Sequence, residues 1–298
     1  EVIDFQESLD LSAIISPSIY VPDINNYQSF IDQQLATSSL EYHRKLKKSK
    51  PLFISLIISD NFFNSKQNID EFLNQITTYD SEGFYVVISG RQNGIYGHEK
   101  ISNMLYFIYS LGFVNQYKVI LGYCDLISIL FHAVGVNSTG IGWWQKQKRF
   151  DIEGDYNART GGRRPRPRYT SIPLLNSILV DPELTSAFDL GIIDKVKTGT
   201  GYDDSLIKNP RGSHIPWNHK TKSLHHWKSL KLETDQIARI IRIEDRVKDV
   251  YKHVMYSMKL YKELETKIPF ETRFNFLENW KQGIEGFCVY LEINLNDF

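Results

Sequence analysis

The 298 residues suffice for one large α/β domain, or for a medium domain with an appendage. Hydrophobic residues make up 42% and charged residues 23%, which supports a packed core and excludes a disordered chain. Lys plus Arg and Asp plus Glu balance at 35 each, which excludes wholesale coating of a polyanion but leaves room for a local basic patch.

Five apolar segments in the first half have the length and β-branched or aromatic content of buried strands. They are residues 13–21, 52–59, 84–89, 119–123 and, more weakly, 138–144. The intervals 27–48, 69–79, 101–111 and 126–134 carry apolar residues at helical spacing. Asn68 and Asp125 are placed to cap two of these helices, and Gly83, Gly112 and Gly135 to end them. Strand and helix in alternation imply parallel strands, either in an open doubly wound sheet or in a (β/α)-barrel. No glycine-rich phosphate fingerprint follows a strand, which favours a barrel-like or partial barrel domain over residues 1–195. Too few strands are visible for a closed barrel of eight. An upstream portion, a partner chain or a degenerate barrel would supply the rest, and the first residue, Glu1, is not Met.

Residues 145–170 change character. Eight cationic side chains are interspersed with Gly161, Gly162, Pro165 and Pro167, a mixture that reads as a long basic loop. Residues 171–180 are apolar again and read as a strand or a short helix. An irregular connector is expected over 196–232. A single long helix is expected over 233–267, striped by Ile237, Ile241, Val247, Tyr251, Val254, Met258 and Tyr261. Pro269 ends it, and a second helix over 271–282 folds back, so that residues 233–298 form a C-terminal helical hairpin arm. One long helix would overhang the domain, so the arm is expected to meet a protein partner or a second copy of the chain.

Ligands of parallel sheets bind at the C-terminal ends of the strands. That rule nominates Asp60 and Asp125 as general bases or nucleophiles, and Arg91 as a carboxylate or phosphate clamp. Asp60 and Asp125 also read as a turn residue and a helix cap, and Arg91 as a surface ion-pair partner. The basic loop supplies a second constellation. Lys146, Lys148, Arg149, Arg159, Arg163, Arg164, Arg166 and Arg168 suit phosphates, while Trp143, Trp144, Tyr156 and Tyr169 suit stacking on bases. The same arginines also suit an acidic protein surface or this chain's own carboxylates. His214, His219, His225 and His226, with Asp203 and Asp204, match no metal-binding spacing and read as an exposed polar connector. Gly199-Thr200-Gly201 reads as a turn. No cofactor or metal is expected. Cys124 and Cys288 form no CxxC pair, so a Cys-rich zinc site and a disulfide framework are both excluded. With no apolar run of ~20 residues and no secretory signal, a cytoplasmic setting away from membranes is expected.

The stretch VILGYCDLISILFHAVGVNSTGIGWWQKQKR, residues 119–149, resembles the late strands of tRNA-guanine transglycosylase-type barrels. A strand ending near Gly122 leads to a helix, to the pair Gly135-Val136, to another strand and to basic Arg149. The resemblance covers about a tenth of the chain. The segment 138–144 holds no aspartate where that family places its nucleophile, and the family's zinc site has no ligands here. The resemblance therefore implies a barrel that binds nucleic acid, and no catalytic residue transfers with it. Two functions follow as expectations. One is a nucleic-acid-associated barrel-like protein, acting within a processing or defence complex. The other is a small-molecule barrel enzyme that gathers Asp60, Arg91 and Asp125 around one pocket.

Overall fold

A computed structural model describes residues 1–46, 50–90, 96–143, 145–152, 166–203, 207 and 219–295. The chain divides into two compact units, residues 1–154 with 283–298, and residues 155–282. The boundaries expected at 195 and 232 both fall inside the second unit.

The first unit is built on one parallel sheet. β1 (Ile14–Ile15) and β2 (Tyr20–Val21) share one edge and both pair with β3 (Leu52–Ser59). β4 (Gly83–Ser89), β5 (Lys118–Leu121) and β6 (Ser138–Thr139) follow in chain order. Among the described residues these strands run in chain order, after which Phe150 returns to bridge Ser89 at the end of β4. The registers align Ile54, Phe84 and Val119 in one cross-strand row and Leu56, Val86 and Leu121 in the next. All six side chains are buried.

α1 (Val2–Ser8), α2 (Tyr27–Lys45), α3 (Lys66–Ile76), α4 (His98–Tyr109) and α5 (Ser128–Ala133) belong to this unit. Ile69, Phe72, Leu73 and Ile76 all bury the face that their spacing predicts. The α3 cap is Ser65, whose Oγ accepts the Asn68 N–H at 3.4 Å, so Asn68 lies inside the first turn. Three other expectations are corrected. The first strand is split because Pro17, which has no N–H to give a ladder, stands between β1 and β2. β6 stops at Thr139 because the chain folds back at Gly142, where a Cβ would lie 2.3 Å from the Gln147 carbonyl oxygen. Gly83 opens β4 and Gly112 lies within a π-turn (Ser110–Val114), whereas Gly135 follows α5 with φ +110°.

In the second unit, β7 (Arg168–Ser171) and β8 (Asn176–Leu179) form an antiparallel hairpin, followed by α6 (Thr185–Asp189). The single long helix is replaced by α7 (His219–Arg239) and α8 (Ile243–Leu264). The helix breaks where Arg242 takes an extended backbone with ψ 135°. Carbonyls freed at the end of α7 are taken by the Arg246 guanidinium, 2.5 Å from the Ile240 oxygen and 3.4 Å from that of Ala238. α7 and α8 pack together, and Ile237, Val247, Val254 and Tyr261 are buried within the unit. The stripe is therefore core rather than overhang, and of its residues only Ile241, 91% exposed, stands out at the corner. The connector expected over 196–232 is helical from His219. The last helix, α9 (Phe276–Tyr290), starts later and ends later than expected.

Glu183 holds this unit's loops together. Its carboxylate is fully buried and accepts the N–H groups of Leu179, Glu271 and Thr272 at 2.5–2.7 Å, with the Thr272 hydroxyl at 2.7 Å. In the first unit, the final turns of α9 lie close on α4, where Ser102 Oγ donates to the Gly283 carbonyl at 2.9 Å. Among the described residues no helix is long and apolar enough to cross a membrane.

Candidate functional site

Two clefts open beside the C-terminal ends of the first unit's strands. The first is narrow, about 40 Å³, and has Val86, Ile88 and Leu121 from β4 and β5 among its lining, with Ile127 and Phe131 from the α5 region. Its polar lining includes Tyr96, Tyr123, Asp125, Lys148 and Arg149. The second, about 250 Å³, lies at the start of α4 and is lined by Asp60, Asn64, His98 and Lys100, among others. Tyr96 lines both. Its phenol is held well above the ordinary tyrosine range, chiefly by burial and further by the Asp60 charge.

Asp60 follows β3 directly. Its Oδ2 accepts from Lys100 Nζ at 3.1 Å, and Lys100 also reaches Asn61 Oδ1 at 3.4 Å. The Asp60 carboxyl group lies against Gly90, where a Cβ would come within 3.0 Å of it. Gly90 in turn lines the first cleft, so Asp60 is one residue removed from the cleft that holds Asp125. Asp125 does not cap α5, which starts at Ser128 after Ile127. Its Oδ1 accepts the Leu126 N–H at 2.9 Å and stands 3.8 Å from Lys148 Nζ. The sequence thus places two carboxylates on neighbouring clefts. Arg91 lies outside the described residues.

Cys124 also lines the first cleft. Burial, then the Asp125 charge, pushes its thiol up to about 12, so it stays protonated at neutral pH and is no nucleophile. Tyr123, beside it, adopts φ +57°, a conformation rare for a bulky residue. Its ring packs on Phe150 with centroids 5.2 Å apart.

The nucleic-acid constellation separates into parts. Lys148 and Arg149 line the first cleft; Lys146 sits in the 3₁₀ turn Gln145–Lys148, and Trp143 just before it is half-buried. Trp144, Tyr156, Arg159, Arg163 and Arg164 lie outside the described residues. Arg166 makes a bidentate pair with Glu271 in the second unit, at 3.1 and 2.5 Å. Arg168 donates to the Ser177 carbonyl and to Thr272 Oγ1. Tyr169 is fully buried and stacked on His225, so it is unavailable for bases.

The histidine stretch is likewise no exposed connector. His225 and His226 are buried on α7, bonded to Thr170 and Thr200. His214 lies outside the described residues, and among those described no three His, Cys, Asp or Glu side chains are arranged to hold a metal. Gly199-Thr200-Gly201 is the expected turn, closed by Asp203 Oδ2 on the N–H groups of Gly199 and Thr200.

Sequence reasoning missed Tyr96, Tyr123 and Phe150. Only Tyr123 carried a signal, as the residue after Gly122 at a strand end. These features define an α/β protein with an amphipathic, cation-rimmed cleft at its strand ends. Comparison with protein-family models, curated proteins and solved structures gives no significant match.

Proposed function

We propose that the protein is a barrel-type, nucleic-acid-associated protein. In this reading the first cleft widens from its 40 Å³ to receive an unpaired base, while Lys148 and Arg149 hold phosphates. The observation that carries it is a shared rim: an apolar, tyrosine-bearing cavity and two cations line one opening. Aromatic faces stack on any base, and cations alongside track the backbone. Strands wound in chain order suit a barrel segment, and the resemblance over residues 119–149 points the same way. Arg166 and Arg168 serve the second unit's own packing, so the phosphate contacts at this cleft fall to Lys148 and Arg149. Membership of a processing or defence complex belongs to the same reading.

The test is binding of a labelled single-stranded RNA and a DNA between 50 and 200 mM salt. Lys148→Ala with Arg149→Ala should weaken binding about ten-fold at low salt. It should also lower the slope of log affinity against log salt by roughly one for each phosphate that is no longer held. Unchanged affinity and slope would sink the reading.

A second reading, a small-molecule enzyme, is favoured by Tyr96 lining both clefts between Asp60 and Asp125. A carboxylate would then act as base and the neutral Tyr96 phenol as proton donor. Asp125→Asn separates the two readings: an unaltered polynucleotide affinity with abolished turnover speaks for the enzyme.

A further inference from the structure

The second cleft has a chemistry of its own. It holds about 250 Å³, several times one water's share of ~30 Å³ and just under the drug-sized range of ~300–1,000 Å³. Its wall is polar and carries both signs. Asp60 and Glu99 oppose Lys100, alongside Asn64, Tyr96 and His98.

Asp60 and Lys100 are its anchored part. Their side chains are 15% and 23% exposed, and they pair at 3.1 Å. Lys100 Nζ carries three N–H groups. Asp60 Oδ2 and Asn61 Oδ1 take two of them, which leaves one for a ligand. The Asp60 carboxylate has two oxygens, and only Oδ2 accepts from a described residue, so Oδ1 is left as an acceptor. On the α4 side, the helix starts at His98 without a side-chain cap, and the Ile101 N–H is the first to be taken, by the Gly97 carbonyl at 3.1 Å. The earlier N–H groups of the first turn face no partner among the described residues. Tyr96, whose ring is largely buried, likewise has no hydrogen-bond partner for its hydroxyl among them.

The charges decide what fits. An anion drawn to Lys100 and the α4 N-terminus would meet Asp60 and Glu99. A cation drawn to the carboxylates would meet Lys100, and among the described residues no three side chains are arranged to hold a metal. A neutral ring that bears hydroxyls meets no like charge, and each hydroxyl both donates and accepts. Two adjacent hydroxyls match a carboxylate and an ammonium 3.1 Å apart, one donating to Asp60 Oδ1 and its neighbour accepting from Lys100 Nζ.

We propose that the second cleft binds a sugar ring through a vicinal diol, with Asp60 and Lys100 holding the two hydroxyls and Tyr96 donating to a third oxygen. This stands whatever the first cleft takes. Tyr96 lines both clefts, so the diol belongs either to a free sugar or to the ribose of a nucleoside whose base lies in the first cleft.

The experiment is a titration of the isotope-labelled full chain, followed by amide NMR, with methyl β-D-ribofuranoside, its 2-deoxy analogue, adenosine and inorganic phosphate. The ribofuranoside should bind with millimolar affinity and shift the amides of Gly97 to Lys100. The deoxy analogue, which has no diol, should bind about ten-fold more weakly. Asp60→Asn should weaken the ribofuranoside about ten-fold and Tyr96→Phe several-fold, and the wild-type titrations hold even where a variant fails to fold. Adenosine binding far more tightly than the ribofuranoside assigns the diol to a nucleoside. Adenosine binding no more tightly assigns it to a free sugar and counts against a base in the first cleft, while the diol site stands. No saturable shift with the ribofuranoside would overturn the proposal, as would equal binding of the deoxy analogue or wild-type affinity in both folded variants. Phosphate shifting the same amides at lower concentration than the ribofuranoside would overturn it too, because an anion site at the α4 N-terminus explains that result.

Discussion

Acidification should destabilise the second unit through His225. Its ring is 1% exposed and stacked on Tyr169, with centroids 4.5 Å apart. Nε2 lies 3.1 Å from the Thr170 carbonyl, which only accepts, so Nε2 carries the proton of the neutral ring. Nδ1 lies 3.0 Å from the Thr200 hydroxyl, itself 2.9 Å from Asp203 Oδ1. Burial pushes the imidazole down from 6.5 to about 4, against the attraction of Asp203. The folded value lies below the unfolded one, so between the two the unfolded chain binds more protons. The contribution to stability is therefore full above pH 6.5, falls as pH drops, and levels off below pH 4. Linkage gives a loss of roughly 2 kcal/mol between pH 8 and pH 5, and roughly 3 kcal/mol by pH 4. Urea unfolding at pH 8, 7, 6 and 5, followed by far-UV circular dichroism, measures it against His225→Gln, whose amide keeps a donor for Thr170 and does not titrate. The other histidines are common to both proteins and cancel. The stability advantage of wild type over His225→Gln should shrink by about 2 kcal/mol between pH 8 and pH 5. Parallel profiles would refute the reasoning.

Two more outcomes follow from the packing. Glu183→Gln puts an amide donor where a buried carboxylate now accepts four donors, and should lower the urea-derived stability by roughly 3 kcal/mol; an unmoved midpoint would mean that those bonds are not made. Gly283→Ala brings a Cβ within 2.5 Å of Ile101 Cγ2, so overpacking should outweigh the better helix propensity and destabilise by about 1–2 kcal/mol in thermal unfolding. Gly201→Ala, with open space around it and no left-handed backbone, is the control and should leave the melting temperature in place.

What was legible in the sequence follows from how locally each feature is determined. β3 and β4 lie where the apolar runs at 52–59 and 84–89 place them, because a strand buried on both faces writes its burial into every residue. The strand-end rule reached Asp60 and Asp125 for the same reason: once a parallel strand is found, its C-terminal end is known. Tyr96 and Phe150 come from segments without periodicity, and only the three-dimensional course of the chain brings them to the cleft. The break between α7 and α8 was hidden because the apolar spacing runs on through Ile240 and Ile241; the reason to stop there is the Arg246 guanidinium, six residues after the Ile240 carbonyl that it takes. His225 and His226 show the deeper limit. Composition assigns two adjacent histidines to solvent, since a buried imidazole needs partners for both nitrogens. For His225 those partners are Thr200 and Thr170, 25 and 55 residues away, and neither is visible in a local window. A polar side chain reads as surface until its partner is found. The residues that sequence reasoning misplaced as exposed are therefore those whose hydrogen bonds reach beyond a local window. At His225 a single proton shifts the balance, and that is why a pH dependence is expected in a stretch that the sequence presents as a connector.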